Sequence, residues 1–301
     1  MSSNNFAIAA CAVILVCSFS GCTGGIQGAI ESMTHGDPEI IESSVETTSN
    51  LPFSYTASKT ITITNDFAGA DMCALNLNMY GNIQLNTWNE NGYKFIISVQ
   101  GQGSTSSEAL ENLNSITIDS QDEFSSGTLN LSVVSSADDG DWTGKSAEIS
   151  AFLPSEPQLF IATLTAASGE ITVNGVHGNM LAASVAMGSI EISGDISILS
   201  AGKAMGNIDV TSFSTSSGSC FLYTAYGQIN LKVMNGPEYG YNVTAETGIG
   251  TVDIQLSNTE ASGEQSQNSK HVITVDYDSK EIQILVGLSC MGGGTITVDE
   301  I

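Results

Sequence analysis

A five-residue unit, Gly-x-aliphatic-x-aliphatic, recurs along the second half of the chain and constrains the fold more than any other feature. It reads Gly169-Glu-Ile171-Thr-Val173, then Gly188-Ser-Ile190-Glu-Ile192, then Gly206-Asn-Ile208-Asp-Val210. It continues as Gly227-Gln-Ile229-Asn-Leu231 and Gly250-Thr-Val252-Asp-Ile254, with steps between the glycines of 19, 18, 21 and 23 residues. Gly294-Thr-Ile296-Thr-Val298 closes the chain, and Gly81-Asn-Ile83-Gln-Leu85 and Gly127-Thr-Leu129-Asn-Leu131 are earlier echoes. Side chains alternate faces along a strand, so both aliphatics of a unit point the same way. A period near 20 makes each repeat one coil, with equivalent strands stacked about 4.8 Å apart.

The fold class expected is therefore all-β: a parallel β-solenoid with coils of 18 to 23 residues over 159–256. Ile171, Ile190, Ile208, Ile229 and Val252 should form one interior ladder, and Val173, Ile192, Val210, Leu231 and Ile254 a second. Glycine at each unit's start permits the corner. A second strand per coil is read at 179–185 and 219–225. The segment 257–301 should hold a loop, a capping pair of strands over 271–276 and 281–286, and a last coil.

Before the coils, 51–158 reads as a strand-rich block with one short helix. Alternation marks strands at 60–64, 82–86 and 93–99, and Asn91-Gly92 signals a tight hairpin turn between the last two. Thr105-Ser-Ser-Glu108 is a capping box ahead of Ala109, Leu110 and Leu113. The block would cover one end of the solenoid, whose parallel stacking otherwise leaves a free edge.

At the N-terminus, residues 6–19 are an apolar run too short to span a bilayer and suited to a signal peptide, 1–21. Ser20-Gly21-Cys22 looks like a lipobox, making Cys22 the lipid anchor; an uncleaved anchor or plain secretory signal is the alternative, since Met1 to Asn5 carries no Lys or Arg and Phe19 replaces the usual aliphatic. Residues 22–50, rich in Gly, Ser, Thr and Glu, read as a flexible tether. Export to the cell envelope follows. Of the other cysteines, Cys11 and Cys17 lie in the apolar run, while Cys73, Cys220 and Cys290 are three buried thiols or one disulfide and a thiol.

The repeats resemble the domain of unknown function usually called the putative adhesin family (DUF4097). The resemblance rests on Ala151-Phe-Leu-Pro154 followed by Leu159-Phe-Ile161, Ser168-Gly169-Glu170-Ile171 and Gly175-Val176-x-Gly178, and it covers about Thr60 to Val298. This chain departs in often lacking an acidic residue after the glycine. The resemblance implies an exported, coil-built surface protein, and it carries over no catalytic residues.

Charge excludes one partner class. Seven basic residues against 32 acidic ones, net −25, cannot neutralise nucleic-acid phosphates. No Gly-x-Ser-x-Gly and no phosphate loop occurs, and His35, His177 and His271 belong to no spaced motif. No enzyme activity and no cofactor are expected. Asp138, Asp139 and Asp141 are a weak Ca²⁺ candidate against a solvated acidic turn, as are Glu191 and Asp209 on the outer face. Asn130 and Asn242 head glycosylation sequons. A solenoid filled by its own side chains points to binding through a face, and Tyr223, Tyr226, Tyr239 and Tyr241 are the candidate patch for a cell-surface glycan or envelope protein. A structural scaffold of the envelope that binds nothing is the competing reading.

Overall fold

The computed structural model describes residues 39–47, 55–67, 69–138, 140–155, 158–212, 214–263 and 265–301. The signal run, Cys22, His35 and Asp139 lie outside them. Among these residues fifteen strands and one α-helix follow one another: β1 Glu39–Thr47, β2 Tyr55–Asp66, β3 Met72–Met79, β4 Ile83–Trp88, β5 Gly92–Gly103, α1 Ser106–Asn114, β6 Ile116–Ser125, β7 Thr128–Ala137, β8 Lys145–Pro154, β9 Gln158–Ser212, β10 Gly218–Val233, β11 Tyr239–Thr247, β12 Gly250–Gln255, β13 Thr259–Ala261, β14 Ser269–Thr274 and, after a 3₁₀ turn at Tyr277–Ser279, β15 Ile282–Glu300.

All-β character is thus as the alternation predicts, but the sheet is open and mixed rather than parallel throughout. Its middle is parallel. β9 pairs with β10 (Ile208↔Ile229), β10 with β15 (Ile229↔Ile296), and β15 with β12 (Ile296↔Val252). On the other side β4 pairs with β9 (Ile83↔Ile171) and with β8 (Ile83↔Ile149). Its ends are antiparallel: β1 on β2, β2 on β5 and β5 on β8 at one, β14 on β11 and on β13 at the other.

The aliphatic ladders line the core as their spacing requires. Ile171, Ile190, Ile208, Ile229, Val173, Ile192, Val210 and Leu231 are all buried. Their glycines pack backbone on backbone. A Cβ on Gly227 would stand 1.7 Å from the Gly206 carbonyl oxygen, and φ there is +145°, so no other residue fits.

Four sequence expectations give way. Val252 does not stack on Ile229, because Ile296 of β15 lies between them. Ile296 and Val298 are enclosed on both sides, whereas Ile254 stays half-exposed on the outermost strand. The stretches 271–276 and 281–286 do not pair as a cap; β14 joins β11 while β15 enters the stack. The Asn91-Gly92 turn makes no hairpin, since β4 pairs in parallel with β8 and β9 and β5 pairs with β2 and β8. Part of the segment read as tether, Glu39–Thr47, is an edge strand whose β-branched Ile40, Ile41 and Val45 favour extended backbone. The N-cap is as read, with Thr105 Oγ1 accepting from the Glu108 amide at 3.2 Å, but the Glu108 carboxylate accepts from the Ser104 amide at 2.8 Å and not from Thr105; α1 lies over glycines of β5, where a Cβ on Gly101 would meet the Leu113 nitrogen at 2.2 Å.

Candidate functional site

Each repeat turns a corner just before its glycine, and the corner sorts side chains by position. The residue three before the glycine points inward. There stand Ala166, Val185, Lys203, Thr224 and Thr247, all buried, before Gly169, Gly188, Gly206, Gly227 and Gly250. Cys290 fills the same column from β15, in register with Thr224 and Thr247. A polar group here reaches backbone carbonyls beside the corner. Thr224 Oγ1 donates to the Tyr226 carbonyl at 3.2 Å and Thr247 Oγ1 to the Ile249 carbonyl at 3.3 Å.

Lys203 does this with a full charge. Only 1% exposed, its ammonium donates to the carbonyls of Gly188 and, at 2.8 Å, Asn207. Burial pulls its pKa from 10.5 down to about 8, against the opposing pull of the Asp209 carboxylate. The column is legible in the sequence as Thr or Lys three before the glycine.

The residue just before the glycine points outward. Met187 is 53% exposed, Met205 51%, Tyr226 60% and Ile249 78%, and Met291 of β15 adds 65%. Met205 and Tyr226 are register partners, and the Tyr226 ring lies over Gly292, where a Cβ would stand 2.2 Å from it. Uncharged residues flank them: Ala186, Ala204, Ala225 and Gly248 before, Ser189, Asn207, Gln228 and Thr251 after the glycine. From Ala186 to the Gly250 corner this ridge carries no exposed charge, on a chain of net charge −25. Scattered exposed apolar residues are ordinary; here they stand in one aligned, uncharged row. Beside the ridge, the outer face of β10 carries half-buried Phe221 and Tyr223, in register with the small Ser200, Gly202, Gly287 and Ser289.

The four tyrosines expected to form one patch are split. Tyr226 is on the ridge and Tyr223 on the adjoining face. Tyr239 and Tyr241 are buried, their rings parallel within 6° at 6.2 Å, with Tyr241 Oη donating to the Met234 carbonyl at 2.7 Å. Burial raises the pKa of both phenols above the usual tyrosine value, and neighbouring carboxylates, Glu238 among them, add to it.

The other candidates stay apart. Asp138 and Asp141 are exposed; Asp141 accepts from the Thr143 amide at 2.9 Å, closing a local turn. Asp209 accepts from the Asn230 amide at 2.7 Å, and Thr297 sits between Asn230 and Asp253, so the outward column is not a run of carboxylates. Among the described residues no group of three His, Cys, Asp or Glu is placed to hold a metal. Asn130 is exposed, whereas the Asn242 side chain is half-buried and bonded to His271 at 2.9 Å. Cys73, Cys220 and Cys290 are buried free thiols, and burial pushes Cys73 and Cys220 up to about 12. Among the described residues no helix is long and apolar enough to cross a membrane.

No family model and no curated protein matches the chain. Its architecture is similar to crystal structures of a putative cell adhesion protein from Clostridium sporogenes (17% identity, 81% of this chain and 100% of that one, TM-score 0.47) and of a putative adhesin from Bacteroides fragilis (13% identity, 80% and 97%, TM-score 0.31). A putative adhesin from Parabacteroides distasonis is also similar, at 10% identity, 81% and 97% coverage and TM-score 0.24.

Proposed function

We propose that this chain is an exported, membrane-anchored cell-surface protein of adhesin type, whose central coils wind as a β-solenoid and present the uncharged ridge to a protein or glycan. The ridge is the observation that carries the reading. An acidic surface repels most anionic partners at long range, and the row from Met187 to Ile249 is where close approach costs no charge desolvation. Methionine side chains adapt to varied surfaces, which suits adhesion to more than one target. The names of the similar structures agree with this reading, which rests on the ridge. The anchor is assigned to Cys22. No catalytic residue and no cofactor is assigned.

The test replaces Met187, Met205, Tyr226 and Ile249 together by Ser in the full-length protein displayed on cells. Adhesion to other cells or to glycan-coated surfaces should fall at least about tenfold, as loss of a contact hot spot does. The β-rich circular dichroism should stay. Adhesion unchanged by the four substitutions would remove the ridge, and no adhesion by the unmodified protein would favour an envelope scaffold.

A further inference from the structure

A backbone nitrogen that follows asparagine can attack the asparagine side chain, and glycine in the second place removes the Cβ that would hinder the approach. Three such pairs occur here: Asn91-Gly92, Asn174-Gly175 and Asn235-Gly236. The attack closes a succinimide ring between Asn Cγ and the glycine nitrogen. For this the side-chain amide must swing free, the peptide between the two residues must rotate, and the glycine N–H must give up any hydrogen bond. Every hydrogen bond lost on the way adds to the barrier.

The fold treats the three pairs differently. Gly92 is buried at the start of β5, opposite Asp66 of β2, and its carbonyl accepts from Trp88 Nε1 at 2.7 Å. A Cβ on Gly92 would stand 2.4 Å from the Asn65 carbonyl oxygen, so this peptide is clamped against β2. Asn174 lies on β9 in register with Asn86 of β4, and its Nδ2 donates to Asn86 Oδ1 at 3.0 Å. The Gly175 carbonyl accepts from Thr87 Oγ1 at 3.3 Å. Asn235 is exposed, in the loop between β10 and β11. Its side-chain amide, its carbonyl and the Gly236 N–H make no hydrogen bond with any described residue. The loop is held on either side of that peptide: the Asn235 N–H donates to the Ile301 carbonyl at 3.3 Å, and the Gly236 carbonyl accepts from the Tyr239 amide at 3.2 Å.

We propose that Asn235 is a site of spontaneous covalent modification. The Gly236 nitrogen attacks Asn235 Cγ, its proton passes to the leaving amide nitrogen, and ammonia departs. The succinimide then takes up one water. Breaking the new bond between Cγ and nitrogen gives aspartate; breaking the original backbone bond to that nitrogen gives isoaspartate, with the chain running through the side chain. One water enters and one ammonia leaves, with no oxidant or reductant. Either product puts a new carboxylate on a loop that already holds the Lys280 ammonium, at 3.0 Å from the Pro237 carbonyl. The chemistry does not rest on the proposed function.

Incubating the full-length protein at mildly alkaline pH and mapping its peptides by mass spectrometry tests the proposal. Residue 235 should gain the mass difference between an amide and an acid, as a mixture of aspartate and isoaspartate. Asn91 and Asn174 should convert at least about tenfold more slowly, the factor that one or two hydrogen bonds add to a barrier. In guanidinium chloride all three should convert at similar rates, because only the fold separates them. Asn235→Gln, whose extra methylene disfavours the ring, should show no conversion at this position. Asn235 left intact in the folded protein over a time in which the unfolded chain converts, or all three positions converting equally in the folded protein, would overturn the proposal.

Discussion

Between residues 158 and 233 the chain stacks its repeats in sequence order, while at both ends it does not. Gly169, Gly188, Gly206 and Gly227 lie one on the next as they come. At the N-terminal end, β7 and β8 lie outside β3 and β4, although they come later. At the C-terminal end, β11 and β12 lie outside β15, although they come earlier. Three of the four outermost parallel strands then have antiparallel partners: β5 covers β8, β6 covers β7 and β14 covers β11, while β12 pairs with β15 alone. A parallel stack wound in strict order would end on bare edges, which template aggregation. Doubling back inserts a repeat and frees a hairpin-like strand to close the end. The middle is built for repetition and the ends for termination.

The largest expected effect comes from removing the inserted repeat. A chain ending at residue 281 leaves β12 without its parallel partner, and β11 with only β14. Hydrogen exchange should show residues 239–276 losing protection while 72–212 keep theirs. Protection retained over 239–247 would mean that β15 is a mere cap and does not lie between β10 and β11.

Next comes the contrast between an inner and an outer tier. Ile208→Asp places a charge in a fully enclosed position and should cost roughly 3–5 kcal/mol in a urea melt. Ile254→Asp, half-exposed on the outermost strand, should cost about 1 kcal/mol. Equal costs would erase the distinction between middle and end.

The smallest net effect at neutral pH belongs to Lys203. Its folded pKa of about 8 lies below the unfolded value of 10.5, so the folded state sheds its proton first. The unfolded state therefore binds more protons between those values, and stability from this group rises with pH across that window, by up to roughly 3 kcal/mol. Lys203→Met removes this rise. At pH 7 the variant should lie within about 2 kcal/mol of the parent, because relief of the buried charge is offset by loss of the ammonium's two bonds to the Gly188 and Asn207 carbonyls. From pH 8 to 10 the parent should gain relative to the variant. The buried thiols of Cys73 and Cys220, raised to about 12, work oppositely above pH 9, since the unfolded chain then loses protons first. Being common to both proteins, they cancel in the difference. A parent-to-variant gap independent of pH would show that Lys203 stays charged throughout.

Much of the middle is legible in the sequence because its signals are local. Ile208 and Val210 are two apart on one strand, so they share a face whatever the strand pairs with. Thr105 caps α1 through a residue three positions away. The exposed Met187, Met205, Tyr226 and Ile249 carry a signal of their own, as the large residue before four of the corner glycines. The tyrosine patch fails because nearness along the chain is not nearness on a surface. Tyr239 and Tyr241 alternate on the inward face of β11, while Tyr226 stands at a corner.

The sequence by itself determined all-β character, which side chains face inward and where the corners fall, because alternation and glycine's freedom act within a few residues. Only the tertiary structure decided which repeat lies beside which. Val252 and Ile296 offer a neighbouring strand nearly the same aliphatic surface, so local preference cannot rank them. The two differ in enclosure: Ile296 and Val298 lie between two parallel strands, whereas on the last strand Val252 is still buried and Ile254 is partly exposed, the difference that nonlocal pairing makes.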